Sequence, residues 1–332
     1  MNRVNGLSER RPFSARSFFI RWEWILIFLI IVVTIINSNI TPHFFTPRGL
    51  FDMTFNFVEK GIGALIMSLI IIIGQIDLSV GSNMAMSAVV MSVSYQMGLN
   101  IWLAMLAGLV VGALGGLFNG FIIMRLKLHS IIITLGTYSL YRGIAYVILG
   151  DKAVTGFSQK FMYIGQGYIA NSLVPVELVI FIVLAVIFGI ILHKTKFGRY
   201  MYAIGNNELA CRYSGVPVDR VIISLYTTSG FICALAGMLF VSRVSVCRPN
   251  LGEAFLFEVV TIVLLGGVSI YGGEGTIIGV VLSILLIGLI RYGMLLLNVS
   301  APLISVFIGF LLIIVILIPK LVKYITREQK GR

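Results

Sequence analysis

An ionisable residue between apolar stretches is the residue best suited to act on a polar molecule in this chain. Asp77 lies in the polar segment 74–82, between two long apolar runs. The orientation that the basic residues of the chain predict places Asp77 toward the cytoplasmic side. Its carboxylate either caps the following helix or contacts a substrate. We favour capping, with Ser79 and Ser82 satisfying backbone groups freed at the break. The residues predicted to form a hinge or to line a pathway here are Asp77, Ser79, Gly81 and Asn83.

A second glycine-rich segment, 265–276, contains Gly266, Gly267, Gly272 and Gly273. Glycines permit sharp turns and close backbone contacts, so we predict packing or a hinge here rather than a phosphate-binding loop. The chain contains no GxxxxGKS/T motif, the signature of a P-loop. We therefore expect it to bind no cofactor itself. If it depends on ATP and Mg²⁺, a partner binds them.

Residues that commonly bind metals or perform catalysis do not cluster in this sequence. The three histidines are scattered and the three cysteines share no CxxC spacing, so we predict no metal site, no disulfide framework and no catalytic centre. Glu59 and Glu258 lie near the ends of apolar stretches. A carboxylate in that position either lines a polar path or pairs with a cation, and we favour pairing.

The most informative polar segment is the island 194–220 between two apolar stretches. We predict a short helix within it, capped by Gly205 or Asn206. Glu208 and Arg212 are four residues apart, in an order that suits both an ion pair and the helix dipole. The island is either an ordinary ordered loop or a helix that transmits force to a soluble partner. The residues assigned to this helix and its ends are Gly205, Asn206, Asn207, Glu208, Ala210, Arg212, Ser214 and Gly215.

Composition indicates that the solvent for this fold is lipid. Of 332 residues, 58% are hydrophobic and 11% are charged, whereas soluble domains carry about 25% charged residues. The formal charge of +12 is divided among short segments beside apolar stretches, which argues against nucleic-acid binding. We predict an all-α polytopic membrane protein with about ten transmembrane helices, including broken or re-entrant segments. The predicted spans are 22–39, 56–75, 78–97, 101–124, 129–150, 175–193, 221–243, 256–272, 276–297 and 299–319.

Basic residues predict the orientation of these spans. Segments 1–21, 125–128, 194–220 and 320–332 hold most of the 25 Lys and Arg residues, and basic segments tend to remain in the cytoplasm. We expect a cytoplasmic N-terminal tail at 1–21, a single transmembrane domain at 22–319 and a cytoplasmic C-terminal tail at 320–332. The first span is expected to be retained rather than cleaved as a signal peptide.

The two hinge segments resemble each other. Residues 71–78 align with residues 263–270, and repeats with broken helices are common in transporters. We predict a break within 56–97 and another within 256–297, so that one member of each pair is a half-helix or a re-entrant segment.

Four stretches of the chain together resemble a known family. They are 74–82, 132–143, 197–215 and 266–276, and they occur in the family's order. On these motifs the chain resembles the permease subunits of bacterial ABC sugar importers, the ribose/xylose/autoinducer/rhamnose permease group. The chain departs from the usual family pattern at or near Gln75, His129, Cys211 and Leu256, so the resemblance carries over no substrate specificity.

The resemblance implies a bundle of about ten helices in the bacterial inner membrane, with two permease chains per transporter, identical or related. It implies a soluble ATPase with two fused cassettes, which would hold ATP and Mg²⁺, and a periplasmic sugar-binding protein that delivers the substrate. The helix of the island 194–220 would be the coupling helix that docks on the ATPase.

We therefore expect the permease subunit of an ATP-driven importer for a monosaccharide or related small polyol. Within the same class, a permease for nucleosides or branched-chain amino acids is the alternative. An ion-coupled secondary carrier would need Asp77, Glu59 and Glu258 to face a water path. The missing reactive cluster argues against an intramembrane enzyme.

Overall fold

The computed structural model describes residues 22–40, 44, 46–170 and 172–330. Within these residues it contains fourteen α-helices and one short 3-10 helix, with no β-strand beyond two isolated bridges. The predicted all-α fold is therefore confirmed. The predicted N-terminal tail and the last two residues of the predicted C-terminal tail lie outside the described part of the chain.

The apolar segments predicted from sequence all coincide with helices, and short helices lie between several of them. In chain order the elements are α1 (Trp22–Ile40), α2 (Pro47–Asp52), the 3-10 helix Met53–Asn56, α3 (Val58–Ile72), α4 (Val80–Gln96), α5 (Ile101–Leu126), α6 (Ser130–Leu149), α7 (Gln159–Gln166), α8 (Val176–Lys194), α9 (Lys196–Asn206), α10 (Glu208–Tyr213), α11 (Val218–Val244), α12 (Phe255–Leu265), α13 (Ile277–Leu296) and α14 (Ala301–Lys330).

Six of the described helices are long and apolar enough to cross a membrane alone: α1, α5, α6, α8, α11 and α13. A seventh candidate combines α2, the 3-10 helix and α3, which are bent by 54° at their junction. α4 and α12 are shorter, with 17 and 11 residues. At 1.5 Å per residue, α12 rises only about 16 Å in a hydrocarbon core of about 30 Å. The predicted breaks therefore separate shortened helices from their neighbours.

Helices α5 and α11 form the centre of the bundle. Gly112 and Gly116 of α5 face Gly230 of α11 so closely that a Cβ on any of them would meet the opposite backbone. In lipid, close packing of small residues replaces the hydrophobic effect as the force between helices. The broken helices α3 and α4 both pack against α11, which fixes them to this centre.

The connections between helices gather at two ends of the bundle. We define the hinge end by residues 72–75, residues 266–276 and α9. We define the loop end by loops 150–170 and 245–254, where Val154 and Cys247 exchange two backbone hydrogen bonds. Successive long helices run between these ends, which agrees with the predicted alternation of the connecting segments.

Candidate functional site at the hinge end

The polar island folds into two short helices instead of the single helix predicted. Thr195 caps α9, and its side chain accepts a hydrogen bond from the backbone N–H three residues later (3.2 Å). Asn207 caps α10 in the same way (2.9 Å). The predicted cap at Gly205 or Asn206 is wrong, because both lie in the last turn of α9 and the extended Asn207 (φ −161°, ψ 96°) separates the two helices.

Ion pairs hold α10 in place. The predicted pair between Glu208 and Arg212 is confirmed, with a nitrogen–oxygen distance of 2.9 Å. Arg212 also contacts Asp219 at 2.7 Å, which ties α10 to the first turn of α11. Burial lowers the pKa of Arg212, but its hydrogen bonds to Asp219 and Glu208 raise that pKa by more, so it lies above its ordinary value. Ser214 caps the C-terminus and Gly215, with φ +79°, ends the helix as predicted.

α9 contacts both hinges through backbone atoms. Gly205 lies so close to the carbonyl oxygen of Ile72 and the amide nitrogen of Gly273 that a Cβ would overlap them. Gly273 in turn donates its N–H to the Ile72 carbonyl at 2.8 Å, which joins the two hinges. Nearby, Tyr202 donates its hydroxyl hydrogen to the Gly275 carbonyl at 2.7 Å. We call Ile72, Gly205 and Gly273 the hinge junction.

The two hinges end their helices in the same conformation. α3 and α12 each close with one backbone hydrogen bond spanning three residues and another spanning five, the pattern of a Schellman motif. Gly74 (φ +78°) and Gly267 (φ +82°) occupy the same position in this pattern. The structural match is therefore shifted by one residue from the predicted alignment, which pairs Gly74 with Gly266. Gly272 packs directly on the Gly74 backbone.

α10 presents an exposed apolar face next to the hinge junction. Leu209 and Tyr213 are 61% and 86% exposed, and residues four apart share one face of a helix. Beside α10 lies a cavity of about 480 Å³. Its lining residues come from the first hinge, the turn between α5 and α6, and α10: Gly74, Gln75, Ile123, Met124, Lys127, Leu128, His129, Ser130, Glu208, Leu209 and Arg212.

Asp77 lies deeper in the bundle than predicted. Its carboxylate accepts hydrogen bonds from the backbone and hydroxyl of Ser79 (2.9 and 2.6 Å) and from the hydroxyl of Ser229 (3.3 Å). Ser229 is near the middle of α11, so Asp77 is level with the centre of the bundle and not with the hinge end. The carboxylate fixes the turn before α4. The buried hydroxyl of Ser82 has no hydrogen-bond partner, so its predicted role there is wrong.

Further buried polar side chains extend this network across three helices. Asn119 of α5 donates its side-chain N–H to the Ser79 hydroxyl (2.8 Å) and accepts a hydrogen bond from Tyr141 of α6 (3.1 Å). Asn83 donates to the Gly112 carbonyl at 3.0 Å. The structure thus brings Asp77, Ser79 and Asn83 into one buried region, together with three residues outside the predicted site: Asn119, Tyr141 and Ser229.

Comparison with known proteins places this chain in a family of permeases. The family model described as "Branched-chain amino acid transport system / permease component" matches residues 49–316. The chain belongs to this family of ABC importer permeases. The chain is also 35% identical to the "Autoinducer 2 import system permease protein LsrD" of Escherichia coli (strain K12), Escherichia coli O157:H7 and Shigella flexneri. Each match covers 301 residues, 89% of this chain and 91% of the relative. No solved structure matches.

Family membership and the apolar helices together establish a multi-pass membrane protein that acts as a permease. A permease component moves a molecule across the membrane and is not itself a catalyst. Among the described residues, no group of three or more His, Cys, Asp or Glu side chains is placed to hold a metal ion.

The permease also carries paired charges in the loop-end half of its bundle. Glu59 accepts a hydrogen bond from Arg243, and Glu258 forms ion pairs with Lys60 and with Arg291, the latter at 2.9 Å. Glu59 and Glu258 are only 2% and 5% exposed. The predicted pairing of these carboxylates is confirmed.

Proposed function

We propose that this permease is the membrane subunit of an ATP-driven importer that translocates a monosaccharide or related small polyol, and that α10 docks on the ATPase. The supporting observation is the contact of the island with both hinges. The exposed Leu209 and Tyr213 offer a docking surface, while Gly205, one helix earlier, touches Ile72 at the end of α3 and Gly273 in the segment that follows α12. A push on α10 would therefore reach both hinges at once.

The proposed partners are those that the family resemblance implies. A soluble ATPase with two fused cassettes would bind ATP and Mg²⁺ and contact α10. A periplasmic sugar-binding protein would dock at the loop end, and a second permease chain, identical or related, would complete the pathway. The proposed location is the bacterial inner membrane with both termini cytoplasmic, which places the hinge end on the cytoplasmic side.

The proposed substrate class rests on the relatives, whose name assigns them to import of autoinducer 2.

In this permease, the Asp77 carboxylate is enclosed by hydroxyl and amide donors, and both of its oxygens accept hydrogen bonds. We assign Asp77, Ser79 and Asn83, together with Gly81 and the glycines of the second hinge, to the hinges rather than to direct substrate contact.

The first test is recovery of the ATPase with the tagged permease from gently solubilised membranes, analysed by mass spectrometry. We expect a two-cassette ATPase with the wild type and at least tenfold less of it with Leu209→Ala and Tyr213→Ala combined. The matched control is Ile169→Ala with Leu173→Ala, also four residues apart and 41% and 42% exposed, but at the loop end. It should leave recovery of the ATPase unchanged.

Two outcomes would contradict the proposal. Wild-type recovery with the α10 double variant would show that the ATPase does not dock there. Uptake that persists without any ATPase and collapses with the proton gradient would identify an ion-coupled carrier instead. Uptake of nucleosides or branched-chain amino acids, without uptake of sugars or polyols, would replace the substrate class only.

A further inference from the structure

A small cavity of about 190 Å³ lies in the loop-end half of the bundle, beside the starts of the shortened helices α4 and α12. It has room for about six water molecules at ~30 Å³ each. This is below the roughly 300–1,000 Å³ of pockets for drug-sized ligands, so the occupant must be small. Its lining residues are Glu59, Lys60, Met84, Phe240, Gly252, Glu253, Ala254, Phe255 and Glu258.

The cavity forms where a loop meets the start of a broken helix. Gly252 of the loop 245–254 packs on Gly81, in the first turn of α4, with no space for a Cβ on either. Arg142 holds this loop by donating hydrogen bonds to the carbonyls of Pro249 and Leu251. Transporters commonly place substrate sites where discontinuous helices begin within the membrane.

Charged groups from four helices converge on this cavity or on its ion pairs. Glu258 of α12 is held between Lys60 of α3 and Arg291 of α13, and Glu59 of α3 is held by Arg243 of α11. A buried ion pair adds little stability compared with an apolar pair of the same size. Ionisable residues within a membrane protein instead tend to mark the paths of substrates or ions.

The apolar residues that line the cavity suit the C–H groups of a polyol. Phe240, Phe255 and Met84 form an apolar side that can pack against C–H groups, while the charged side offers both donors and acceptors to hydroxyl groups. Glu253 is exposed and is in no ion pair among the described residues. Arg142 is its charged neighbour, and the carboxylate oxygens, which form no hydrogen bond or salt bridge in the described structure, can accept hydrogen bonds from a ligand.

We propose that this cavity binds the small polyol or monosaccharide during translocation, with Glu253 and the Lys60–Glu258 pair contacting its hydroxyl groups. The proposal rests on the function proposed above and adds the position of the substrate within the permease. The site lies on the loop-end side of the buried Asp77 network, so the substrate would reach it before passing the hinges.

The test uses the complete transporter in proteoliposomes, with labelled autoinducer 2, D-ribose and ribitol as probes. Ala254 lines the cavity and is exposed, so Ala254→Phe fills the space without removing an ion pair. We expect uptake to fall at least tenfold, with ATPase recovery and basal ATP hydrolysis unchanged. Val186→Phe, near the middle of α8 at a position that is 55% exposed and outside the cavity, is the matched control and should transport normally.

A second variant tests the site independently of whether Ala254→Phe folds. Glu253→Gln removes one exposed charge and should raise the half-saturating concentration several-fold while the maximal rate is kept. Wild-type uptake by Ala254→Phe, or unchanged concentration dependence in Glu253→Gln, would overturn the site and leave the proposed function intact. A wild-type transporter that takes up none of the three probes would overturn the substrate class and the site together.

Discussion

The two ends of this permease are held together by different kinds of contact. At the hinge end, Ile72, Gly205 and Gly273 meet through backbone atoms alone. In the loop-end half, α3, α11, α12 and α13 are connected by charged side chains, including the Glu258 pairs with Lys60 and Arg291. The loop-end half also contains Glu177, which is fully buried with neither carboxylate oxygen hydrogen-bonded in the described structure.

This difference separates a rigid end from an adjustable one. Contact between backbones allows little change in spacing, because packed interiors transmit strain instead of absorbing it. Ion pairs between long side chains can exchange partners or open with little movement of the helices. The hinge end is therefore suited to transmit motion, and the loop-end half is suited to open and close around a polar molecule.

A single methyl group at the hinge junction should have the largest effect. Gly205→Ala places a Cβ on backbone atoms of Ile72 and Gly273, and we expect the free energy of unfolding to fall by about 3 kcal/mol or more. Gly136→Ala is the control because a Cβ there meets nothing within 4 Å. It should remain within about 1 kcal/mol of the wild type. Thermal unfolding in detergent measures both, and equal melting temperatures would show that the junction is not rigid.

Breaking the loop-end ion pairs should have the next largest effect. Glu258→Ala leaves Lys60 and Arg291 without their carboxylate, and we expect a loss of about 2–3 kcal/mol in the same unfolding assay. Arg48→Ala removes an exposed pair with Asp52 and should cost under about 0.5 kcal/mol. If Glu258→Ala were as stable as Arg48→Ala, the loop-end pairs would not hold these helices together.

The buried network between the two ends should show an intermediate effect that depends on shape. Asp77→Ala removes the acceptor for Ser79 and Ser229 and should reduce stability by about 2 kcal/mol. Asp77→Asn keeps the shape and an oxygen acceptor for Ser79, so most of that stability should return. A chemical denaturation series in detergent distinguishes the two variants. Equal losses would mean that the negative charge, and not the hydrogen bonds, fixes the turn before α4.

The smallest effect is expected at the edge of the loop end. Tyr168 donates a hydrogen bond to Asp52 at 2.6 Å, and this bond holds the pKa of Tyr168 above its ordinary value. The protonated phenol is the stabilising form, so its contribution is complete below about pH 10 and is lost as the pH rises through the raised pKa. Tyr168→Phe should cost about 1 kcal/mol at neutral pH and less at alkaline pH. A pH-independent difference in melting temperature would argue against this bond.

Hydropathy predicts the helices well but not how far each one reaches. Every predicted apolar segment is helical, because a run of apolar residues reports burial in lipid. The same run does not report where the backbone turns, so residues 266–272, included in a predicted span, lie beyond the end of α12. In the island, Asn206 and Asn207 offer equivalent capping chemistry. In the structure Asn206 ends α9 and Asn207 caps α10, a choice that the local sequence does not contain.

The sequence predicts only part of the buried network around Asp77, and the reason is different. Asp77 and Ser79 stand out as polar residues between apolar runs. Ser229, however, is 152 residues from Asp77, and Asn119 is 40 residues from Ser79. No local pattern links partners so far apart. An asparagine within an apolar helix was the one available signal, since such side chains commonly bond across helices in membranes.

The hinge junction is made of main-chain atoms of Ile72, Gly205 and Gly273, and no side chain of α10 takes part in it. Substitutions of the exposed α10 side chains Leu209 and Tyr213 therefore leave the dimensions of the junction unchanged. The island then combines a variable outer surface on α10 with a fixed backbone contact at Gly205. Under the docking proposed above, grafting the α10 surface of a related permease onto this chain would redirect it to another ATPase without changing the hinge junction.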